Sequence, residues 1–512
     1  MTIGLVNKEY GWERILEQEK VPWEKISFTD LSRYSLIILN SRNLNENESN
    51  KIKSYLNNCG ALLTDTLSFK KLYPNLKILR IYIKNIKGKN ELFRNINKIN
   101  IEKFGYKIKD SKAINSMKIG DGFAIILPFD LNQLMLDERS KELYFSSPHT
   151  PLKEHVSVVS KGDLRRLIIN CFYYLFSKRN LPYIHLWYYP NKYESVFCYR
   201  MDLDVFNKNE INNIIKVAGK NKINFTWYLS VKNCENYKDE SNKLYKSKQD
   251  IQSHSYEHKV YDSFEENYNS MSKADKFISE VARKPTGFVA PFGHWNKNLG
   301  KVLEKMNYDY SSEFSLSYDD LPFYPFLNKK SRIIQLPIYP TCIGLMRMKL
   351  YSKKQMKNYF DYLIDMQYKK QMPLFLYDHP NDGVGTYSDV LDHLLKKIKS
   401  FDNVLITNFN EFLTWWKRRE KKKFNVSILD DELKINTNNK DKDVYLRIIM
   451  PDYKEVKIPL KNQIINLEKL NLNYLPEFKE LSIRSIDIIK SKVFFFIFYL
   501  GILFKALRRR LF

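Results

Sequence analysis

The chain has 512 residues, a formal net charge of +26, and contents of 44% hydrophobic and 28% charged residues. This composition excludes an intrinsically disordered chain, and the length allows about three domains. The excess charge suits an anionic membrane surface or an acidic glycan, but no nucleic-acid-binding motif accompanies it, so we expect no nucleic-acid partner.

The cysteines predict a reduced, cytoplasmic setting. They are odd in number, far apart and without a Cys-x-x-Cys pair: Cys59, Cys171, Cys198, Cys234 and Cys342. This pattern is typical of free core thiols and not of a disulfide framework. The first residues form an apolar run that leads into charge, without the basic and apolar regions of a secretory signal. We therefore expect the protein to act inside the cell.

Residues 1–180 alternate between strand and helix patterns. Apolar runs of strand length lie at residues 3–6, 35–39, 61–64, 78–83 and 123–127. This alternation predicts an open parallel α/β sheet. The opening strand, the polar helix after it and the run from Asn58 to Leu63 resemble the class I glutamine amidotransferase-like fold. Residues 39–42 offer no cysteine at the expected strand-to-helix turn, so we expect this domain to be non-catalytic.

Two groups of residues in the middle of the chain have the composition of a metal site. Arg200, Asp202 and Asp204 end a short apolar strand, on which side chains two apart share a face. His254 and His258 follow a second strand, and a spacing of four places both imidazoles on one side of a helical turn. Taken alone, either group is also compatible with a solvated turn. Together, imidazoles and carboxylates suit a catalytic zinc with an open position.

Two further motifs follow in the sequence. Residues 289–293 end in Pro291, Phe292 and Gly293, and an apolar strand at residues 374–378 is followed by His379. The four motifs, in this order, resemble the polysaccharide deacetylase family, also called the NodB homology domain. That family consists of metal-dependent carbohydrate esterases on a distorted (β/α) barrel, and the resemblance covers roughly residues 190–420.

The resemblance implies a role for each matched polar residue. Asp204, His254 and His258 would bind a divalent metal ion, with Zn²⁺ expected, and Asp202 would act as the general base. His379 would protonate the leaving amine. The backbone N–H of Phe292 would stabilise the oxyanion, and four neighbouring residues are expected to contact the substrate: Pro291, Gly293, His294 and Trp295.

This sequence departs from the family pattern at two points. The first motif is spaced Asp-x-Asp, as in the branch of the family that acts on lipid-linked aminosugars. Val289 stands where most members have an arginine beside the catalytic aspartate. Arg200 shares a strand face with Asp202, so we expect Arg200 to replace that arginine.

The C-terminal part changes character. Six of the seven residues at 417–423 are basic, which fits either a solvated helix end or a membrane-surface contact. Residues 424–485 predict a small antiparallel β domain. Within residues 488–512, the twelve-residue apolar run 493–504 would reach about 18 Å as a helix, less than the roughly 30 Å of a hydrocarbon core. Basic residues flank it, so we expect a membrane-associating tail, with a buried core helix as the alternative.

The combined hypothesis is a metal-dependent hydrolase. It would remove an N-acetyl or N-formyl group from an aminosugar of a glycan or a lipid-linked sugar. It would act in the cytoplasm at the inner face of the cell membrane, as a peripheral or monotopic protein. The alternative is a catalytically inactive deacetylase fold that binds glycans or lipids at the membrane.

Overall fold

The computed structural model describes residues 1–483 and 487–489. The N-terminal region is α/β. Its strands are β1 (Thr2–Leu5), β2 (Trp23–Lys25), β3 (Tyr34–Leu39), β4 (Ala61–Asp65), β5 (Ile78–Ile86), β6 (Ile99–Ile108), β7 (Asn115–Ile119), β8 (Gly122–Leu127), β9 (Ser140–Phe145) and β10 (Leu152–Ser157). Its helices are α1 (Tyr10–Glu19), α2 (Glu46–Asn57), α3 (Thr66–Leu72), α4 (Leu131–Met135) and α5 (Lys161–Lys178).

The predicted open sheet is confirmed, with two differences. Its strand order is β2-β1-β3-β4-β8-β7, and all neighbours are parallel except β7 and β8. The run at 78–83 was expected to continue this sheet but belongs to β5, which pairs with β6 in a separate antiparallel ribbon. Polar residues interrupt β5, so it cannot be buried on both faces, whereas β3 is buried at every position.

The second region is a distorted (β/α) barrel. Strand β11 (Tyr183–Leu186) precedes the barrel. The barrel strands are β12 (Ser195–Leu203), β13 (Thr226–Leu229), β14 (Asp250–Ser253), β15 (Gly287–Phe288), β16 (Tyr310–Ser311), β17 (Ile334–Gln335), β18 (Leu374–Asp378) and β19 (Val404–Ile406). Its helices are α6 (Lys208–Asn221), α7 (Lys238–Lys246), α8 (Phe264–Val281), α9 (Lys297–Lys305), α10 (Ile343–Met348), α11 (Lys353–Lys369), α12 (Ser388–Lys399) and α13 (Phe409–Glu420).

A curled parallel sheet forms this barrel, as predicted. Its order is β17-β16-β15-β14-β13-β12-β18, and β19 also pairs with β12. All nine residues of β12 are buried because the strand is central and both of its faces are covered. The strands run in one direction, so the residues that follow their carboxyl ends meet at one mouth of the barrel.

The C-terminal region is antiparallel β structure, as predicted. It contains β20 (Phe424–Leu429), β21 (Glu432–Thr437), β22 (Tyr445–Ile449), β23 (Lys454–Pro459), β24 (Gln463–Asn466) and β25 (Asn473–Tyr474). One sheet is β20-β21-β24, and the other is β11-β22-β23-β25. The second sheet therefore includes a strand from residues 183–186, and both sheets share a hydrophobic core with the barrel.

A buried ionic network joins the N-terminal region to the barrel. Arg165 of α5 pairs with Glu19 of α1 at 2.7 Å and with Asp320 at 2.9 Å. Arg14 also pairs with Asp320, and the hydroxyl of Tyr188 donates to Glu19 at 2.8 Å. All these charged side chains are almost fully buried, so each charge depends on its partners.

Arg419 lies inside the protein, although it belongs to the basic run at 417–423. Its side chain is fully buried at the end of α13. The guanidinium donates to the carbonyl oxygens of Gln18, Leu186 and Trp187 at 2.9, 2.7 and 2.8 Å. The two predictions for the basic run, a solvated helix end and a membrane-surface contact, are therefore both wrong for Arg419.

The predicted membrane-associating tail, residues 488–512, lies outside the described residues except at 488 and 489. Across residues 1–483 and 487–489, no helix is both long enough and apolar enough to cross a membrane.

Asp275 on α8 has a carboxyl group whose burial should make protein stability depend on pH. Burial raises the pKa of Asp275 to about 6 from its usual 3.8, and the Tyr308 hydroxyl donates to it at 2.5 Å. A raised folded pKa means that the neutral carboxyl favours the fold at low pH, and that this contribution is lost as the pH rises through about 6. We expect Asp275→Asn to raise the free energy of unfolding by about 1–3 kcal/mol at pH 8 and by much less at pH 4.

Urea unfolding at the two pH values measures this effect. The matched control is Asp239→Asn, because Asp239 is exposed on α7. A gain for Asp275→Asn that is equal at both pH values would contradict the titration argument.

Candidate active site and metal centre

A cavity of about 600 Å³ opens at the barrel mouth. Side chains from the ends of β12, β14 and β18 line it, together with the turn after β15 and part of α10. The four motifs found in the sequence therefore meet in one place, as expected for residues at the carboxyl ends of parallel barrel strands.

Asp204, His254 and His258 form a compact cluster in this cavity. Asp204 Oδ1 lies 3.2 Å from His254 Nε2 and 3.0 Å from His258 Nε2. This carboxylate oxygen is buried, and both ring nitrogens lie within hydrogen-bonding distance of it. The three ligand atoms lie close enough together to hold one metal ion, and two imidazoles with one carboxylate are a set typical of a catalytic divalent metal site.

The surroundings of His254 suit a metal ligand. Its Nδ1 lies 2.7 Å from the carbonyl oxygen of Val289, so the Nδ1–H donates there and leaves the lone pair of Nε2 directed at Asp204. Burial lowers the pKa of His254, but Asp204 and Asp202 outweigh it and raise the pKa overall. A bound cation requires the neutral imidazole, so protons compete with metal at this residue.

The pKa of Asp204 shifts in the opposite direction. Burial raises it, but the adjacent imidazoles of His254 and His258 outweigh burial and hold it well below its usual range. Asp204 is therefore ionised at neutral pH, as a metal ligand must be.

The local conformation at 254–258 differs from the predicted helical turn. This segment is a loop in which Ser255 and His258 have positive φ angles of 66° and 53°. The two imidazoles still converge, with ring centroids 4.9 Å apart. The helical expectation was wrong because residue spacing constrains side-chain direction only where the backbone is regular.

Arg200 and Asp202 form a buried ion pair beside this cluster. Arg200 Nη2 donates to Asp202 Oδ2 at 2.9 Å, and its Nη1 donates to the Ser312 carbonyl at 2.7 Å. The other carboxylate oxygen, Asp202 Oδ1, has no hydrogen-bond partner among the described residues and belongs to a side chain that lines the cavity. Val289 is fully buried in the hydrophobic core, and its side chain has no polar group that could pair with the Asp202 carboxylate.

The third motif forms a tight turn at the cavity edge. Phe292 and Gly293 have φ angles of 57° and 63°, and a Cβ at Gly293 would lie 2.4 Å from the Phe314 ring, so glycine is needed there. The Phe292 side chain is 67% exposed, and its ring lies 4.9 Å from that of His258. Gly293 and His294 line the cavity, whereas Pro291 and Trp295 lie outside its lining.

His379 follows β18, the strand paired with β12, and faces Asp204. Its Nε2 lies 3.6 Å from Asp204 Oδ2, the oxygen other than the one nearest to His254 and His258. The preceding residue, Asp378, accepts the backbone N–H groups of Ile343 at 2.8 Å and of His379 at 2.9 Å. Burial raises the pKa of Asp378 to about 7. Cys342, Asp378 and His379 form a second cluster of possible ligand atoms.

Sequence reasoning missed Glu313. It is fully buried and accepts the N–H of Ala290 at 3.2 Å and the Ser311 hydroxyl at 2.8 Å, so it supports the turn of the third motif. Burial raises the pKa of Glu313 to about 7. The polar run after the Tyr310–Ser311 strand was an available signal, because barrel residues at strand ends reach the site.

Residues 202–311 match a family model described as polysaccharide deacetylase. The chain contains a polysaccharide deacetylase domain. The matched segment runs from the end of β12 to the end of β16 and carries the first three motifs, while His379 lies beyond it. No curated protein matches the chain.

Several solved structures are similar to part of the chain. A structure titled Puue allantoinase has 16% identity over 45% of this chain and 93% of its own, with a TM-score of 0.39. The Bacillus anthracis protein BA3943, titled a CE4 family pseudoenzyme, has 15% identity over 44% and 66%, with a TM-score of 0.31. A family 4 carbohydrate esterase from Streptomyces lividans, in complex with acetate, has 10% identity over 42% and 92%, with a TM-score of 0.30. These low TM-scores add nothing to the assignment of the deacetylase domain.

Proposed function

We propose that this protein is a metal-dependent hydrolase that removes an N-acetyl or N-formyl group from an aminosugar. Its polysaccharide deacetylase domain supports deacetylation of glycans in general. The observation that carries the finer proposal is the meeting of a metal-type triad and a buried carboxylate, Asp202, in one cavity. Release of acetate from an N-acetylated chito-oligosaccharide tests it directly.

Asp204, His254 and His258 would hold the metal ion, with Zn²⁺ as the expected species. The buried oxygen of Asp204, which faces both imidazoles, and the orientation of His254 through Val289 fit such a ligand set. When bound, the ion would polarise the acyl oxygen and lower the pKa of a water molecule.

Asp202 would act as the general base. Its Oδ2 is held by Arg200, so its Oδ1 is the oxygen available to take the proton of the attacking water. Arg200 would position this carboxylate, in the role that arginine has in the third motif of most family members. The guanidinium of Arg200 is itself held in place by its second hydrogen bond, to the Ser312 carbonyl.

His379 and the third motif would complete the chemistry. The imidazole of His379 lines the same cavity and would protonate the leaving amine as the C–N bond breaks. The backbone N–H of Phe292, in the tight turn at the cavity edge, would donate to the oxyanion. These two groups would act on opposite ends of the same amide.

The remaining parts of the chain have proposed roles outside the chemistry. We propose that residues 1–180 are a non-catalytic domain, residues 190–420 the catalytic unit, and residues 424–485 a β domain. The apolar run at 493–504, with basic residues on both sides, supports a tail at 488–512 that attaches to an anionic membrane. Attachment at the cytoplasmic face would favour a lipid-linked aminosugar as the substrate.

The second candidate is an inactive deacetylase fold that binds glycans or lipids. Val289, in place of the motif arginine, is the observation in its favour. Metal content does not distinguish the candidates, because an inactive site can still bind zinc. Acetate release does distinguish them.

His258→Ala should empty the metal site. Only Asp204 and His254 would remain, and two protein ligands hold a catalytic zinc poorly. We expect bound zinc, measured by mass spectrometry after dialysis, to fall at least tenfold. The control is His393→Ala, because His393 pairs with Asp361 on the surface. Full zinc content in His258→Ala would remove this residue from the ligand set.

A further inference from the structure

The hairpin of β9 and β10 forms one wall of the active-site cavity. It lies upstream of the deacetylase domain match at 202–311. Glu154 and His155 of β10 are among the residues that line the cavity. Part of the substrate-facing surface is therefore supplied by a segment of the N-terminal region.

This hairpin is attached firmly to the barrel. The Ser157 N–H donates to the Phe314 carbonyl at 3.1 Å, next to the third-motif turn. At the other end of the hairpin, the Tyr351 hydroxyl contacts both the Thr150 carbonyl at 2.5 Å and the Ser147 hydroxyl at 2.6 Å. The wall therefore has a fixed position relative to the catalytic groups, as a binding site requires.

Glu154 differs from the other charged residues of the cavity. Arg200 pairs with Asp202 at 2.9 Å, and Arg347 pairs with Asp382 at 2.5 Å. Asp204 is surrounded by imidazoles. Glu154 has no ion pair with any described residue, and its one hydrogen bond is Oε1 accepting the neighbouring backbone N–H at 2.7 Å. Its other oxygen is free to accept from a ligand.

A half-buried carboxylate without an ion pair is costly unless a ligand compensates for it. Burial raises the pKa of Glu154, which reflects this cost. The cavity lining also contains the apolar side chains of Phe292 and Met348, which are 67% and 64% exposed. A ligand in this cavity therefore meets exposed apolar side chains as well as the free oxygen of Glu154.

We propose that Glu154 is a substrate-binding residue that accepts a hydrogen bond from a hydroxyl or ammonium group of the sugar that carries the scissile amide, or of its neighbour. This inference rests on the proposed function. The specificity of the enzyme would then depend partly on the upstream hairpin, and a substrate without a donor group at this position would bind weakly.

Binding to an inactive protein tests the inference without turnover. In the Asp202→Asn background, titration calorimetry with triacetylchitotriose measures Kd for Glu154, Glu154→Gln and Glu154→Ala. We expect Kd to rise at least tenfold for Ala and by less for Gln, which keeps one acceptor oxygen. The control is Glu142→Gln, because Glu142 lies on β9 and pairs with the exposed Lys153. An unchanged melting temperature shows that the hairpin remains folded.

A second probe identifies the donor group. Chitotriose with one acetylated and two free amines carries ammonium groups where triacetylchitotriose carries acetamides. If Glu154→Ala weakens only this probe, the donor is an ammonium group, and if it weakens both probes equally, the donor is a hydroxyl group. Unchanged binding of both probes in Glu154→Ala would overturn the inference.

Steady-state kinetics separates this inference from the proposed function. In the active protein, Glu154→Ala should raise KM at least tenfold with a much smaller change in kcat, since binding is lost and the chemistry is retained. Absence of acetate release by the wild type would refute the proposed function, while the calorimetric comparison would still decide the role of Glu154.

Discussion

Asp202→Asn is expected to lower kcat by about 10²–10⁴-fold, the range that a positioned general base contributes. The asparagine oxygen still accepts from Arg200, so the local geometry is preserved, but an amide cannot take the proton of water. Bound zinc should stay at the wild-type level, because Asp202 is not one of the three proposed ligands. Acetate release and zinc content, measured on the same preparation, give both values.

Asp204→Asn is the matched comparison, because it makes the same chemical change two residues later in the chain, just past the end of β12. It should lose the metal and the activity together, since Asp204 Oδ1 is the oxygen nearest to both imidazoles. If Asp202→Asn emptied the site while Asp204→Asn remained loaded, the roles of the two aspartates would be exchanged.

Glu19→Ala is expected to lower the free energy of unfolding by about 3–5 kcal/mol, the usual cost of breaking a buried ion pair on one side. Glu19 is fully buried and compensates Arg165, and it also accepts from the Tyr188 hydroxyl. Its removal leaves a buried guanidinium and a buried hydroxyl with fewer partners. Denaturant unfolding monitored by tryptophan fluorescence measures the change.

Glu17→Ala is the control for this prediction. Glu17 lies on the same helix and also pairs with a basic residue, Lys20, at 2.9 Å, but the pair is partly exposed. Exposed pairs contribute about 0–1 kcal/mol. Equal losses in the two variants would show that the network around Arg165 does not have the energetic role assigned to it.

The sequence predicted those parts of the site that strand periodicity and local spacing control. Arg200 and Asp202 lie on a strand that is buried throughout, and Asp204 directly follows the end of that strand at Leu203, so alternation predicted that they point in a common direction. The conformation of the His254–His258 segment could not be predicted. It depends on positive φ angles at Ser255 and His258, which are uncommon for residues other than glycine, although histidine is enriched among the exceptions.

The contribution of Glu154 could not be found from spacing. Glu154 reaches the cavity through a hairpin that precedes the deacetylase domain by about 50 residues of sequence, and only tertiary packing brings it there. Strand β11 shows the same limit at the level of the fold. It looks like a linker in the sequence, but it pairs with β22, more than 250 residues away.

The position of Arg419 bears on the order in which the protein folds during synthesis. Its guanidinium supplies hydrogen bonds to the carbonyl of Gln18 at the end of α1, 401 residues earlier in the chain. A ribosome adds about 5–20 residues per second. The Gln18 carbonyl is therefore synthesised tens of seconds before the arginine that donates a hydrogen bond to it. During that interval the end of the first helix must remain hydrated or be covered by another protein, and a nascent chain that stalls before residue 419 exposes it to chaperones and proteases.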